Sequence, residues 1–247
     1  MQNPEEDIKF LRRTYRGLRG RDARILREDF CGTFANSVHW VETDAKATAF
    51  AIDLDPEPLA WGKQNNLSKI PREEQQRVRI LQRSVLSPKL PSADVVCALN
   101  FSYYTFKERP LLRSYLAGVL KQLNPKGILV LDSLGGTDCQ TPCHETRKYS
   151  AFTYKWELES YNPIANHGKF AIHFKPKFRP ILRRAFSYDW RIWSIVEIRE
   201  LMKEVGFKRT IVYWEGTNRS GGGNGKFYKT ETGEPCGTWI AYIVGIK

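Results

Sequence analysis

Apolar residues along the chain follow two patterns. Some form short unbroken runs, and others recur every three or four positions, as in an amphipathic helix. The short runs lie at residues 48–52, 78–81, 93–99 and 128–131. They have the length and composition of strands buried on both faces. Between the last two runs, from Pro110 to Leu123, apolar residues recur every three or four positions, which predicts an amphipathic helix. Strands that alternate with helices at short intervals predict a mainly parallel sheet.

Local stop and start signals set the limits of several helices. Asp55 precedes Pro56, so Asp55 is the expected cap and Pro56 the first position of a helix. Ser194 and Glu197 form a capping-box pattern before a second helix, which should end at Gly206. The Arg-rich segment 10–20 predicts a further helix that ends at glycine and lies beside the first strand-to-helix turn.

The alternation of strands and helices lapses between Gly135 and Trp193. Residues 152–158, 170–174 and 185–190 there read as strands, which predicts an inserted antiparallel region over residues 135–193. After the helix that follows, the chain predicts two final strands at 209–214 and 238–244, joined by a loop that includes 217–225. The glycines at 221–225 lack the Lys-Ser/Thr ending of a phosphate-binding loop, so we interpret them as an ordinary loop near the rim of the site.

One strand-to-helix turn is the strongest indication of function. Residues 25–34 end an apolar stretch in Cys31-Gly32-Thr33, and a second apolar run ends on Asp53, 21 residues after Gly32. A glycine at such a turn allows backbone to approach a ligand closely. A carboxylate at the end of the next strand accepts hydrogen bonds from ribose hydroxyls, which is the arrangement of a nucleoside-binding α/β domain.

This turn resembles the first motif of the class I S-adenosylmethionine-dependent methyltransferases, an acid and any residue followed by Gly-x-Gly-x-Gly. Glu28 stands at the acid and Gly32 at the central glycine, whereas Phe30 and Phe34 replace the outer two. The resemblance covers nearly the whole chain in the order of its elements. It implies an α/β fold, a Rossmann-like three-layer sandwich. The seven-stranded, mostly parallel sheet of that fold has an antiparallel last strand, and here it would carry the inserted antiparallel β region within a single domain, 1–247.

The resemblance also implies S-adenosyl-L-methionine as cofactor and a set of residues around it. The expected cofactor-binding residues are Glu28, Phe30, Cys31, Gly32, Thr33, Asp53, Leu54, Ser84, Val85, Asn100 and Phe101. Asp53 is assigned to the ribose, with the alternative that it caps a helix, a role for which Asp55 is better placed. Ser84-Val85 stands where the family has an acid for adenine, so Ser84 or backbone is expected to meet the adenine amino group.

The acceptor side of the site is less well defined by the sequence. Methyl transfer from a sulfonium chiefly requires positioning, so a base is not obligatory. Candidates for one are Tyr103, His144 and His173, although lone histidines are more often packing or surface residues. Expected substrate-binding residues are Tyr103, Tyr104, Tyr188, Trp190 and Arg191, with aromatic packing as the alternative for the first two.

Charge adds a second possible partner. The net charge is +12, and residues 160–188 contain no acid but carry six Lys and Arg residues interleaved with three phenylalanines. This pattern is typical of phosphate contact with base stacking, but a solvated outer face over a hydrophobic lid is favoured because no RNA-binding module signature is present. The expected function is therefore methylation of a small molecule, acidic or aromatic. The alternatives are a nucleic-acid methyltransferase and a non-catalytic protein of the same fold that binds a partner.

The cysteines and the hydropathy of the chain indicate where the protein works and whether it holds disulfides or a metal. Five cysteines at irregular spacing argue against a disulfide framework, and Cys139, Cys143 and His144 lack zinc-site spacing, so no metal is expected. No apolar run is long enough to span a bilayer, and residues 1–7 are acidic and polar. We therefore expect a cytoplasmic enzyme with no membrane partner.

Overall fold

The structure is a computed structural model that describes residues 3–218 and 221–247. The helices are α1 (Pro4–Arg19), α2 (Ala35–Glu42), α3 (Pro56–Asn65), α4 (Arg72–Gln75), α5 (Arg109–Gln122) and α6 (Ile195–Val205). The main sheet contains β1 (Ile25–Asp29), β2 (Thr48–Asp53), β3 (Val78–Gln82), β4 (Ala93–Ala98), β5 (Leu123–Gly135), β10 (Arg209–Thr217), β11 (Gly223–Thr230) and β12 (Trp239–Ile246). A second sheet contains β6 (Cys143–Lys148), β7 (Phe152–Asn162), β8 (His167–Pro176) and β9 (Leu182–Arg191).

The main sheet has the strand order β11-β10-β12-β5-β4-β1-β2-β3. The pairs among β1 to β5 are all parallel, and β12 runs antiparallel to both of its neighbours, β5 and β10. The predicted fold class, a mostly parallel sheet with an antiparallel last strand and an inserted antiparallel region, is thus confirmed.

The sheet has eight strands where the sequence predicted seven. The extra strand, β11, pairs antiparallel with β10 at the edge of the sheet, in a segment that the sequence analysis partly assigned to a loop. Six of the eight residues of β11 are exposed and none is buried, so it lacks the alternation that marks a half-buried strand. Residues 219 and 220 of that predicted loop lie outside the described residues.

Helices cover both faces of the main sheet because its central strands are apolar on both sides. All six residues of β4 are buried. Val95 packs in one core with residues of α1 and α2, whereas Val96 packs in the other with residues of α5 and α6. The result is the expected three-layer sandwich.

Local capping signals act as predicted. Asp55 Oδ1 accepts a hydrogen bond from Glu57 N at 3.0 Å, which caps α3. Ser194 and Glu197 form both hydrogen bonds of a capping box at the start of α6, and Gly206 ends that helix with a left-handed backbone. These signals need only residues a few positions apart, so the sequence alone specifies them.

The four strands of the second sheet pair antiparallel in chain order, between β5 and α6. Leu158, Phe170 and Trp190 from this sheet pack into the same core as α5 and α6. The inserted sheet is therefore anchored to the main sheet through a shared hydrophobic core. Among the described residues, no helix combines the length and apolarity that a bilayer span requires.

Candidate functional site

The carboxyl ends of the parallel strands gather polar residues at one edge of the main sheet. Glu28 lies at the end of β1, Asp53 ends β2, Asn100 follows β4, and Asp132 lies towards the end of β5. Open α/β sheets bind ligands at this edge. Three of these four residues were expected from the sequence, and Asp132 was not.

The turn after β1 keeps a glycine-like backbone although two glycines are replaced. Gly32 has a φ of 51°, and Phe30 and Phe34 have φ values of 56° and 48°. A left-handed conformation costs a residue with a Cβ about 1–2 kcal/mol. Packing offsets this cost: Phe34 is fully buried, and the Phe30 ring meets Phe106 with 5.6 Å between centroids.

Open space lies over the central glycine of the same turn. A Cβ built on Gly32 would meet no atom within 4 Å. Strained backbone that surrounding packing maintains is concentrated at functional sites. The turn therefore combines a strained backbone with room for a ligand directly above Gly32.

Asp53 joins the turns of β1 and β2. Its Oδ2 accepts a hydrogen bond from Gly32 N at 2.7 Å, and its Oδ1 accepts one from Asp55 N at 3.0 Å. Each carboxylate oxygen has a second acceptor position. Asp53 is half-buried, and the next side chain, Leu54, is exposed at the rim.

Asp132 fixes the loop after β4. Its two carboxylate oxygens accept hydrogen bonds from Asn100 N at 2.6 Å and Phe101 N at 2.8 Å, and both donors have a left-handed backbone. Successive N–H groups that converge in this way favour an anion. The signal was present in the sequence, since Asp132 directly follows an apolar run, as Asp53 does.

Three carboxyl groups lie close together at this edge, Glu28 and Asp132 buried and Asp7 half-buried. Glu28 accepts hydrogen bonds from Ser37 N and Oγ at 2.9 and 2.6 Å, and Asp7 accepts one from Tyr242 Oη at 3.0 Å. Burial raises the pKa of Asp7 to about 6, of Glu28 to about 7 and of Asp132 to about 8. The charge of Asp7 further raises the pKa of the other two. A cation at this edge would favour the ionised forms.

Other residues expected at the cofactor have structural contacts of their own. Cys31 N donates to Ile52 O at 3.0 Å, and burial raises the pKa of the Cys31 thiol. Thr33 O accepts a hydrogen bond from Asn66 Nδ2 at 2.9 Å. Ser84 Oγ accepts one from Leu86 N at 3.2 Å, and the neighbouring Val85 is buried. These contacts shape the loops without filling the space over Gly32.

Tyr103 and Tyr104 attach the β4 loop to β5. Both side chains are fully buried. Tyr103 Oη donates to Asp132 O at 2.8 Å, and Tyr104 Oη donates to Leu134 O at 3.1 Å. Burial raises the pKa of both hydroxyls. The structure therefore places both tyrosines in the packed core beneath the loop.

The two candidate histidines lie in the inserted sheet rather than at the carboxyl edge. His144 is exposed on β6. His173 is buried on β8, where its Nδ1 accepts a hydrogen bond from Arg184 N at 3.2 Å and its Nε2 lies 3.1 Å from Glu157 Oε2. The structure therefore places neither histidine with Asp53 and Asn100.

The last strand of the inserted sheet, β9, contacts the loop that follows β4. Trp190 stacks on Tyr188 with 4.3 Å between ring centroids and meets Phe101 and Tyr104 at 6.0 and 6.1 Å. Tyr188 remains half-exposed. Aromatic faces from the insertion therefore adjoin a loop at the carboxyl edge.

Arg191, the last expected substrate residue, is already engaged. Its guanidinium donates to Lys107 O and to Glu197 Oε1, both at 3.0 Å, and lies 3.6 Å from the centre of the Trp193 ring. It holds the end of β9 against α6. Arg191 therefore positions the end of the insertion and is not free to bind a substrate.

A cleft of about 570 Å³ opens beyond the end of β5. Its lining residues are Gly136, Thr137, Gln140, Pro235, Cys236, Gly237 and Trp239.

Among the residues in ranges 3–218 and 221–247, no three His, Cys, Asp or Glu side chains are grouped as a metal ion would require.

Comparison with known proteins identifies the fold. No family model and no curated sequence matches the chain. The methyltransferase CcbJ from Streptomyces caelestis superposes with a TM-score of 0.71 at 11% identity, over 100% of this chain and 97% of its own. An S-adenosylmethionine-dependent methyltransferase from Clostridium acetobutylicum gives 0.67 at 13% identity, over 98% and 90%. The chain has the class I methyltransferase fold.

A third similar structure is a sugar N-methyltransferase, KedS8 from Streptoalloteichus, with a TM-score of 0.65 at 17% identity over 100% of this chain and 88% of its own. At such identities the likeness concerns the fold. Within the methyltransferase fold, the turn with Gly32, the end of β2 with Asp53 and the loop with Asn100 stand at the ligand-binding edge.

Proposed function

We propose that this protein is an S-adenosylmethionine-dependent methyltransferase that acts on a small molecule. The observation that carries the proposal is the β1 turn. It keeps three left-handed positions, with open space over Gly32 and with Asp53 bonded to its backbone. Two of these positions are phenylalanines, so the conformation persists against the steric preference of the residues.

The residues at this edge fit the chemistry of that cofactor. Asp53 retains acceptor positions for ribose hydroxyls, and we assign Leu54, Ser84 and Val85 to the adenine side. The acids Asp7, Glu28 and Asp132 suit the methionine end, which carries an ammonium and a sulfonium. When bound, the cofactor supplies a methyl group on a positively charged sulfur that is ready for attack. The protein then has to orient the acceptor and exclude water.

The acceptor side is aromatic. We assign the half-exposed Tyr188 and Phe101 to contact with the acceptor. The buried Trp190 supports both rings, and Tyr103 and Tyr104 position the loop, because their hydroxyls are bonded inside the core. Names of similar structures support a small acceptor, since they include a sugar N-methyltransferase and an amino pentose methyltransferase with S-adenosylmethionine bound. We propose no base among Tyr103, His144 and His173.

Calorimetric titration with S-adenosylmethionine tests the cofactor assignment. Asp53→Asn should weaken binding at least about tenfold, because the amide has one acceptor oxygen where the carboxylate has two, and it carries no charge. Asp55→Ser is the matched control: it lies two residues away, keeps a capping side chain for α3, and should bind normally. If the folded wild-type protein did not bind, the proposal would be overturned in favour of a partner-binding role. Equal binding by wild type and Asp53→Asn would overturn the assignment of Asp53 to the ribose.

A further inference from the structure

The far end of the inserted sheet has an unusual surface. Two turns lie together there, the β6–β7 turn and the β8–β9 turn, because Lys177 N donates to Ala151 O at 3.0 Å. We call residues 147–152 and 175–184 the tip. The opposite end of the same sheet is the foot, where Asn166 bonds with Ile192 near α6. The tip is therefore the part of the insertion that points away from its anchorage.

The tip is strongly basic. It contains Arg147, Lys148, Lys175, Lys177, Arg179, Arg183 and Arg184, and no acid. Arg147 pairs with Glu145, and Arg184 pairs with Glu159. Within the described part of the chain, the other five cations have no carboxylate within ion-pair distance. Such uncompensated charge favours an anionic partner.

Exposed apolar side chains lie among these cations. Phe178 is 90% exposed, and Ile181 and Leu182 are 41% and 59% exposed in the same turn region. Tyr149 is exposed on the neighbouring turn, and Phe186 follows on β9. Large apolar residues exposed together mark an interaction surface, unlike the same residues scattered singly.

We propose that the tip docks onto an anionic membrane surface, with Phe178, Ile181 and Leu182 entering the interface and the surrounding Lys and Arg side chains contacting lipid headgroups. This goes beyond the proposed function and does not depend on it. Interfacial binding combines buried apolar area with attraction to anionic lipid, and the tip supplies both. Adsorption of this kind needs no bilayer-spanning helix, and it replaces the expectation from the sequence that the protein has no membrane partner.

Other partners fit the tip less well. Nucleic-acid binding uses aromatic faces on which bases stack. Tyr149, Phe178 and Phe186 offer such faces, but the exposed aliphatic residues Ile181 and Leu182 do not. A second copy of the chain would bring two sets of unpaired cations together, which is unfavourable. An anionic lipid surface offers hydrocarbon to the aliphatic residues and negatively charged headgroups to the Lys and Arg side chains.

Vesicle flotation tests the proposal. The full chain should float with vesicles of phosphatidylcholine containing about 30% phosphatidylserine, and it should float much less with phosphatidylcholine alone. The triple variant Phe178→Ser, Ile181→Ser, Leu182→Ser keeps every charge and should lose at least about tenfold in binding. Lys175→Glu with Lys177→Glu should lose as much, and added salt should weaken wild-type binding.

Matched controls separate the tip from general surface effects. Ile164→Ser alters a residue that is 97% exposed at the foot of the same sheet, and Lys63→Glu with Lys69→Glu makes the same charge change on the main domain. Both should float like wild type. Absent flotation of the folded protein, or equal loss in the controls, would overturn the proposal. The proposal would also be overturned if the protein bound single-stranded RNA, or dimerised, but did not bind vesicles, and if the tip variants abolished that RNA binding or dimerisation.

Discussion

Single carboxyl groups govern how this site responds to pH. Glu28 is buried and its pKa is raised to about 7, mainly by desolvation. The folded protein therefore keeps a proton that the unfolded chain releases near pH 4. A group of this kind contributes its full stability below that ordinary pKa, and the contribution is lost as the pH rises through the folded value. Asp7 and Asp132 act in the same direction, with pKa values of about 6 and 8.

The free energy of unfolding should consequently fall between about pH 5 and pH 8 in the absence of a ligand. Glu28→Gln removes one titrating group, while its amide oxygen can still accept from Ser37. This variant should show a shallower fall and should be more stable than wild type near pH 8, at about 1.4 kcal/mol per unit of pKa shift removed. Urea denaturation at several pH values measures the slope. A slope unchanged by the substitution would contradict the assignment.

At the scale of elements, a buried ion pair within β1 is hydrogen-bonded to two side chains of α5. Arg27 donates to both oxygens of Asp29 at 2.9 and 3.0 Å, and both side chains are fully buried. Gln122 Oε1 accepts from Arg27 at 2.6 Å, and Tyr115 Oη donates to Asp29 at 3.0 Å. This network lies directly before the turn with Phe30, so it holds the turn to the helix layer.

Arg27→Met should lower the free energy of unfolding by about 3–5 kcal/mol, because it leaves the Asp29 carboxylate buried without its cation. Replacing both partners, Arg27→Met with Asp29→Leu, should recover part of the loss. Arg16→Met is the exposed control, since the Arg16–Asp22 pair lies at the surface, where solvent screens it, and the substitution should leave the free energy of unfolding nearly unchanged. Chemical denaturation followed by circular dichroism measures all three. A double variant as unstable as Arg27→Met would argue against the charge explanation.

At the scale of the whole molecule, the insertion and the main sheet share one core. Phe170 of β8 is almost fully buried with residues of α5 and α6. A substitution in the insertion should therefore reduce the stability of the entire chain. This arrangement keeps the aromatic face of the insertion in a fixed place beside the β4 loop.

Phe170→Ala should cost about 3–5 kcal/mol in a single transition, seen alike by tryptophan fluorescence and far-ultraviolet circular dichroism. Phe178→Ala, on the exposed tip of the same sheet, should cost close to nothing. Two separate transitions, with the main sheet unaffected by Phe170→Ala, would show that the insertion unfolds on its own.

Patterns among neighbouring residues were sufficient to predict most of the fold. Short apolar runs, helical periodicity and caps depend on neighbouring residues, so they predicted β2, β4, α5, α6 and the antiparallel insertion. The two exposed edge strands, β6 and β11, were not predicted, because a strand with little buried surface has no hydrophobic period.

The sequence by itself determined the order of elements, the caps at Asp55 and Ser194, and the glycine turn facing Asp53. Only the tertiary structure decided that Asp132, 32 residues from Asn100, would bind the backbone of the β4 loop, and that Asp7 would join Glu28 at the same edge. It also decided that Phe30 and Phe34 would adopt the backbone of the glycines they replace. The physical reason is that parallel pairing brings distant strand ends together, and the packing around them then imposes conformations that no local preference indicates.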